Sequence, residues 1–358
     1  MPKTRVLVVE DSLTVRQRLV EILGSDSEIE LVGEAGDGRR AIELCERYRP
    51  DIVTMDVMLP AMSGLAATEY IMAHCPTPIL VVSASTNRGE LFKLYDMLAA
   101  GAVDVLEKPT GTEADDSWER QFLVTVKLVA RIHVITHARG RFTRPRRQGA
   151  PQTSHCSSVA ASGRAYHMVA IGASTGGPAA IVDVLRGLPM AFQLPILLVL
   201  HINEPFGTAF ADWLQGQINR RVFHPADGTP VHSTRGRVVM APGGRHLVVR
   251  DGRLFLTLDP ERHSCRPSVD VLFESVATEY GASAAACLLT GMGRDGALGL
   301  LKIREAGGMT IAQDEATSVI YGMPREAALM GAAAHVLPVG EIGARLASLV
   351  DIEPEARI

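Results

Sequence analysis

Three residues in the C-terminal half have the types that acyl transfer needs: Ser174 in Gly172-Ala-Ser-Thr-Gly176, His201 and Asp295. A serine hydroxyl becomes a nucleophile when a base takes its proton. The base in turn needs an acceptor that fixes its tautomer and steadies the imidazolium. Met168-Val-Ala-Ile precedes the serine loop and a helical pattern from Pro178 to Leu185 follows it. Small neighbours at such a strand-to-helix turn leave a serine exposed, and the helix N-terminus adds free N–H groups. The loop alone leaves a second reading open, because a glycine-rich turn before a helix equally suits a phosphate. The other two residues favour the nucleophile. Pro195-Ile-Leu-Leu-Val-Leu-His201 is a strand pattern ending in histidine, and Ala286-Cys-Leu-Leu-Thr-Gly-Met-Gly-Arg-Asp-Gly296 is one ending in a glycine turn that carries the aspartate. All three side chains then fall at or just past strand carboxyl ends, where one crevice gathers them. The order Ser, His, Asp departs from the Ser, Asp, His of α/β-hydrolases, so that fold is not expected. Asp314 is the rival for the acid.

The N-terminal third carries a different set. Glu10 and Asp11 follow the apolar run Val6–Val9, Asp56 follows Asp51–Met55, Ser83 ends Pro78–Ser83, and Lys108 follows Val103–Leu106. Three carboxylates at neighbouring strand ends repel one another unless a hard cation joins them, and Mg²⁺ prefers such oxygen ligands. A lysine and a hydroxyl beside them suit a phosphoryl group. The chemistry that follows is phosphoryl transfer onto Asp56.

The elements that must hold these residues are readable as well. With Leu31–Gly33, the first third has five short apolar runs, separated by helical patterns at Ser12–Leu23, Arg39–Arg47, Leu65–His74 and Glu90–Ala100. Runs of that kind mark strands covered on both faces, and five βα units predict a doubly wound parallel sheet. Trp118, Phe122, Val126, Val129 and Ile132 recur at helical spacing. No acidic residue lies between Glu119 and Asp183, and the stretch at about 139–165 is basic, then rich in Ser, Ala, Gly and Pro, which predicts a flexible linker. The resulting division is 1–125, a helix and linker over 126–165, and a second α/β unit over 166–355 with a mainly parallel sheet. His224, His232 and His246 are expected at the surface or in hairpins, Asp251-Gly252 as a hairpin turn, and Pro267 at the start of a helix running through Val276.

A net charge of −4 favours neither nucleic acid nor a membrane as partner. Five scattered cysteines without a CxxC pair fit reduced thiols, and no apolar stretch is long enough to span a bilayer, so a cytoplasmic protein without membrane insertion is expected.

Two resemblances extend this reading. Val8-Val-Glu-Asp-Ser12, Asp56-Val-Met-Leu-Pro-Ala-Met-Ser-Gly64, Ser83-Ala84 and Lys108-Pro109 resemble the motifs of two-component receiver domains, over about residues 3–125. The resemblance implies a flavodoxin-like fold and Mg²⁺ held by Glu10, Asp11, Asp56 and the Met58 carbonyl. It further implies phosphate accepted by Asp56 from a histidine kinase, and Ser83 and Lys108 reading the phosphoryl oxygens. The position three before Lys108, often aromatic in such domains, is Val105. The segments around Ser174, His201 and Asp295 resemble the chemotaxis protein-glutamate methylesterase family, known as CheB. So do Met240-Ala-Pro-Gly-Gly244, Arg266-Pro-Ser-Val-Asp-Val-Leu-Phe273 and Ile311-Ala-Gln-Asp-Glu315 with Gly322-Met-Pro-Arg-Glu326; together they cover nearly all of 166–350. This implies Ser174 as nucleophile, His201 as general base and acid, Asp295 as orienting acid, and the Met292 N–H as an oxyanion donor. It implies a cofactor-free esterase acting on glutamyl methyl esters of chemoreceptors, with deamidation of receptor glutamines at the same site. The family often reads Met-Pro-Pro after the histidine and glutamine before it, where this chain has Ile-Asn-Glu-Pro and Leu200. Two alternatives remain at this level: the same chemistry in a non-chemotactic sensory pathway, or a binding module switched by phosphorylation.

Overall fold

The computed structural model describes residues 2–84, 88–108, 117–132, 134, 165–202 and 206–350. The stretch at 139–165, save its last residue, and residues 351–355 lie outside the described residues. The first unit contains strands β1 (Thr4–Val9), β2 (Ile29–Ala35), β3 (Ile52–Met55), β4 (Ile79–Ser83) and β5 (Asp104–Glu107). They alternate with helices α1 (Leu13–Gly24), α2 (Gly38–Tyr48), α3 (Gly64–His74), α4 (Arg88–Ala99) and α5 (Ser117–Val129). The sheet runs β2-β1-β3-β4-β5 and all its pairings are parallel. Side chains of β1 leave the sheet alternately, so Val6 and Val8 pack with Leu19, Leu23 and Phe122 while Leu7 and Val9 pack with Ala41, Leu44 and Ile71. That two-sided burial is why these strands are continuously apolar. α5 runs past residue 125, and its Phe122, Val126 and Val129 pack with β1 and α1; a unit ending at 125 therefore cuts this helix.

The second unit contains β6 (Met168–Ala173), α6 (Gly177–Arg186), β7 (Ile196–Leu200), α7 (Phe206–Gln217), β8 (Val222–Phe223), β9 (Thr229–Pro230), β10 (Val238–Met240), β11 (His246–Arg250) and β12 (Arg253–Thr257). It continues with α8 (Val269–Tyr280), β13 (Ala284–Leu288), α9 (Ala297–Glu305), β14 (Met309–Gln313), α10 (Met323–Leu329), β15 (His335–Leu337) and α11 (Val339–Ala347). Seven of these strands form a parallel sheet ordered β15-β14-β13-β6-β7-β10-β8. β11 and β12 form an antiparallel hairpin closed by Asp251-Gly252, as expected, and β9 adds a third strand. Among the described residues no helix is long and apolar enough to cross a membrane.

The two units touch through α4 and α7. Tyr95, fully buried, donates its hydroxyl hydrogen to the Phe206 carbonyl at 2.5 Å, and the Trp213 indole N–H donates to Asp96 at 2.8 Å. The Tyr95 ring meets Phe210 edge-on at 5.2 Å between centroids, a geometry aromatic quadrupoles favour.

Candidate active site

β13, β6 and β7 are neighbours at the centre of the second sheet, and each ends in one part of the site. Ala173 pairs with Leu200, so Ser174 and His201 are the next residues on adjacent parallel strands. The His201 N–H donates to the Ala173 carbonyl at 3.1 Å and fixes that register. Gly176 follows the serine at φ +76°, a left-handed conformation that costs glycine little, and starts α6. Gly291, at the end of β13, lies so close that a Cβ there would sit 2.7 Å from the Ser174 Cβ. Its lack of a side chain lets the Gly291 backbone approach Ser174 closely.

Asp295 is 2 % exposed, and its Oδ2 accepts from His201 Nε2 at 2.8 Å. Its remaining capacity is filled from the start of α8. Oδ2 accepts the Val269 N–H at 2.7 Å, while Oδ1 accepts the Ser268 hydroxyl at 2.7 Å and the Asp270 N–H at 3.1 Å. A carboxylate at a helix N-terminus is favoured by the free N–H groups and the dipole. Burial opposes the Asp295 charge, yet the bonds from His201, Ser268 and Val269 hold its carboxyl below the usual range. Burial likewise opposes a charged His201, but Asp295 and Cys265 hold its imidazolium up to about 9. Because Nε2 is committed to Asp295, Nδ1 is the nitrogen left to serve Ser174. Among the described residues the Ser174 hydroxyl makes no hydrogen bond, and Nδ1 faces the Cys265 Sγ at 3.7 Å. Catalytic contacts of this kind often close only around substrate. The N–H groups of Thr175, which follows the serine, and of Met292, which follows Gly291, donate to no described acceptor.

A pH prediction follows from the raised imidazolium. The base form is the minority at neutral pH, so kcat/KM for ester hydrolysis, corrected for alkaline blank hydrolysis, should climb about tenfold per pH unit and level near 9. A plateau already reached at pH 7 would contradict the proton count at His201.

The rival acid is not near the histidine: Asp314 Oδ1 accepts from the Thr317 N–H and hydroxyl and shapes its own turn. His246 stands in the hairpin, as expected. It begins the hairpin but is fully buried, because α8 covers that end of the strand; its Nδ1 accepts the Ser268 N–H at 3.1 Å. Pro267 stands one residue outside the cap of α8, with Ser268 as N-cap, rather than within the helix. Arg266 lines the cleft and donates to the Asp259 carbonyl at 3.3 Å.

In the first unit Glu10, Asp11 and Asp56 each bring a carboxylate oxygen within 4.8 Å of the other two. Lys108 Nζ contacts Asp56 at 2.9 Å and Glu10 Oε2 at 2.7 Å, the latter without hydrogen-bond alignment. Burial pushes the Glu10 and Asp56 carboxyls up, with Lys108 opposing it in both. The N–H groups of Val57 and Met58 donate to Asp56. Ser83 is buried at the end of β4, the neighbour of β3.

A cleft of 420 Å³ lies between the units beside His201. Val105 and Trp118 line one side, His201, Cys265 and Arg266 the other. At its edge the Thr175 hydroxyl donates to Asp104 at 3.3 Å, so β5 is tied to the residue after Ser174.

Comparison with known proteins gives the family of each unit. Residues 169–346 match the family described as CheB methylesterase, and residues 6–114 match the response regulator receiver domain. A protein from Nitrosospira multiformis named protein-glutamate methylesterase/protein-glutamine glutaminase is 40% identical over 99% of both chains. One of the same name from Anaeromyxobacter dehalogenans is 42% identical over 96% of both. The solved catalytic domain of Thermotoga maritima CheB methylesterase is 35% identical, covering 52% of this chain and all of that one, at a TM-score of 0.49. With such identity along almost its whole length, this chain belongs to the CheB family of protein-glutamate methylesterases/protein-glutamine glutaminases that carry a response-regulator receiver domain.

Proposed function

We propose that Ser174, His201 and Asp295 are the catalytic triad of a receptor methylesterase and glutaminase, and that Asp56 in the receiver controls access to it. The 2.8 Å bond from His201 to Asp295, one strand over from the serine, carries this reading. Ser174 Oγ attacks the γ-carbonyl carbon of a glutamyl methyl ester while His201 Nδ1 takes its proton. The oxyanion is met by the N–H groups of Met292 and Thr175. The C–O bond to methoxide then breaks, and Nδ1 returns the proton to release methanol. Water attacks the acyl-enzyme by the same route and frees glutamate and Ser174. A glutamine side chain passes through the same tetrahedral intermediate and loses ammonia instead. Arg266 and Ile202 line the same cleft, and differ in kind from the catalytic set: they meet the substrate's surroundings.

In the receiver, Glu10, Asp11 and Asp56 fit a divalent cation. An octahedral Mg²⁺ with bonds of about 2.1 Å spaces its oxygen ligands by roughly 3 to 4.2 Å, within the 4.8 Å found. These three carboxylates and the Met58 carbonyl would hold it, and it would supply positive charge against the incoming phosphoryl oxygens. Asp56 accepts the phosphoryl group from a histidine kinase, and Ser83 and Lys108 engage its oxygens. The substrates are methylated chemoreceptors, and the protein works in the cytoplasm. The functional units are the receiver of 1–125 together with the rest of α5 to Val129, the linker up to 165, and the catalytic domain at 166–355.

Access is the physical basis of control. Two turns of an α-helix, about 10 Å across and roughly 11 Å long, occupy on the order of 800 Å³. The cleft has Val105 and Trp118 of one unit facing His201 and Cys265 of the other, so a helix of that girth reaches His201 only when the units part. Lys108 directly follows β5, whose first residue Asp104 bonds Thr175. Recruitment of Lys108 to a phosphoryl group therefore acts on the strand that borders the nucleophile.

Two variants test this coupling. Asp56→Asn should keep basal methanol release but lose stimulation by acetyl phosphate, because the amide lacks the attacking oxygen; stimulation equal to wild type would remove Asp56 from its role. Asp104→Ala deletes a bond made only in the closed arrangement. One hydrogen bond of about 1 kcal/mol should raise unphosphorylated activity roughly fivefold. Unchanged or lower basal activity would show that this contact does not hold the units shut.

A further inference from the structure

We propose that His201 and Cys265 form a binding site for a soft divalent metal ion, Zn²⁺ by its donor set, and that occupancy withdraws the general base and stops ester hydrolysis. The binding claim stands on geometry alone; the inhibition rests on His201 being the base. His201 Nδ1 and Cys265 Sγ are 3.7 Å apart. Tetrahedral zinc, with Zn–N of about 2.0 Å and Zn–S of about 2.3 Å, separates those donors by roughly 3.5 Å. The second ring nitrogen is already arranged as zinc ligands require. Nε2 bonds Asp295 at 2.8 Å, and a histidine whose far N–H is held by a carboxylate presents its other nitrogen to metal in a fixed direction. Asp295 is itself locked by Ser268, Val269 and Asp270, so it orients the ring instead of binding the ion directly.

The site is reachable. Both donors line the cleft between the units, which leaves room for water in the remaining coordination positions. The other described cysteines, Cys45, Cys75 and Cys287, are buried, whereas Cys265 is partly exposed. The ion displaces one proton from Sγ and, where it is present, one from Nδ1, so no oxidant or other reactant is needed. Thiolate with imidazole selects zinc over the hard cation that suits the three receiver carboxylates. One chain would thus hold two metal sites of opposite character, one at Asp56 and one at the triad.

The test uses the full chain with its thiols reduced by a phosphine. Zn²⁺ is titrated against a chromophoric chelator, Co²⁺ is added separately to read a thiolate charge-transfer band, and methanol release is followed in parallel. One tight equivalent, a cobalt–thiolate band and loss of activity at matching occupancy are expected. Cys265→Ala should abolish the band and weaken zinc binding on the order of 100-fold, and Ser174→Ala should retain both. Thermal melts of each variant separate loss of binding from loss of fold, and Cys265→Ser serves if the alanine form melts early. Equal zinc affinity in folded wild-type and Cys265→Ala protein, or no thiolate band, would overturn the site. Tight binding lost in Cys265→Ala but without inhibition of wild type would leave the metal site standing and remove His201 as the base.

Discussion

Ser174→Ala should reduce methanol release from methylated receptors by about 10⁶-fold, the scale seen when a serine-protease nucleophile is removed. The whole covalent path runs through one oxygen, and no described hydroxyl stands in the same position between β6 and the Gly291 turn. The lost atom makes no described hydrogen bond, so the fold should be unaffected and melting should match wild type within a degree or so. Phosphorylation of Asp56 should proceed normally, because its carboxylates and Lys108 belong to the other sheet. Wild-type methanol release from this variant would end the nucleophile assignment.

Asp295→Asn should cost about 10⁴-fold in kcat, and here the structure adds a reason beyond the histidine tautomer. Both carboxylate oxygens accept from two donors each: Oδ2 from His201 and Val269, Oδ1 from Ser268 and Asp270. An amide placed there must point its NH₂ at donors whichever way it is turned. It therefore unseats either His201 or the α8 cap, and stability should fall by on the order of 3 kcal/mol. Asp314→Asn loses only a turn bonded to Thr317, away from His201, and should remain within tenfold of wild type. A crippled Asp314→Asn beside a near-normal Asp295→Asn would reverse the assignment.

Much of this was legible in the sequence because parallel strands buried on both faces announce themselves. Val6–Val9, Met168–Ile171 and Pro195–Leu200 could be little else, and the first polar residue past each run, Glu10, Ser174 and His201, marks the functional edge. What sequence could not supply is contact made across long separations. Ser268, Val269 and Asp270 hold Asp295 from 25 to 27 positions away. Nothing in Arg266-Pro-Ser-Val-Asp270 distinguishes a helix cap that serves itself from one that also seats a catalytic acid. His246 shows the same limit: its hairpin strand was evident, but not that α8 would bury it. Cys265 at His201 and Asp104 at Thr175 are likewise set by how chain segments and units meet. The signal that could have found the α8 contacts was the serine before a helix, a strong cap, inside the segment Arg266–Phe273 that resembles the methylesterase family.

The account stands most directly on one measurement: methanol released by the full chain from receptor membranes carrying labelled methyl esters, with and without acetyl phosphate and Mg²⁺. It predicts slow release from the unphosphorylated chain, rising severalfold when the phosphodonor is added and falling back as the aspartyl phosphate decays. No methanol above the enzyme-free blank in the phosphorylated sample would contradict the esterase, and equal release in both samples would contradict control by the receiver.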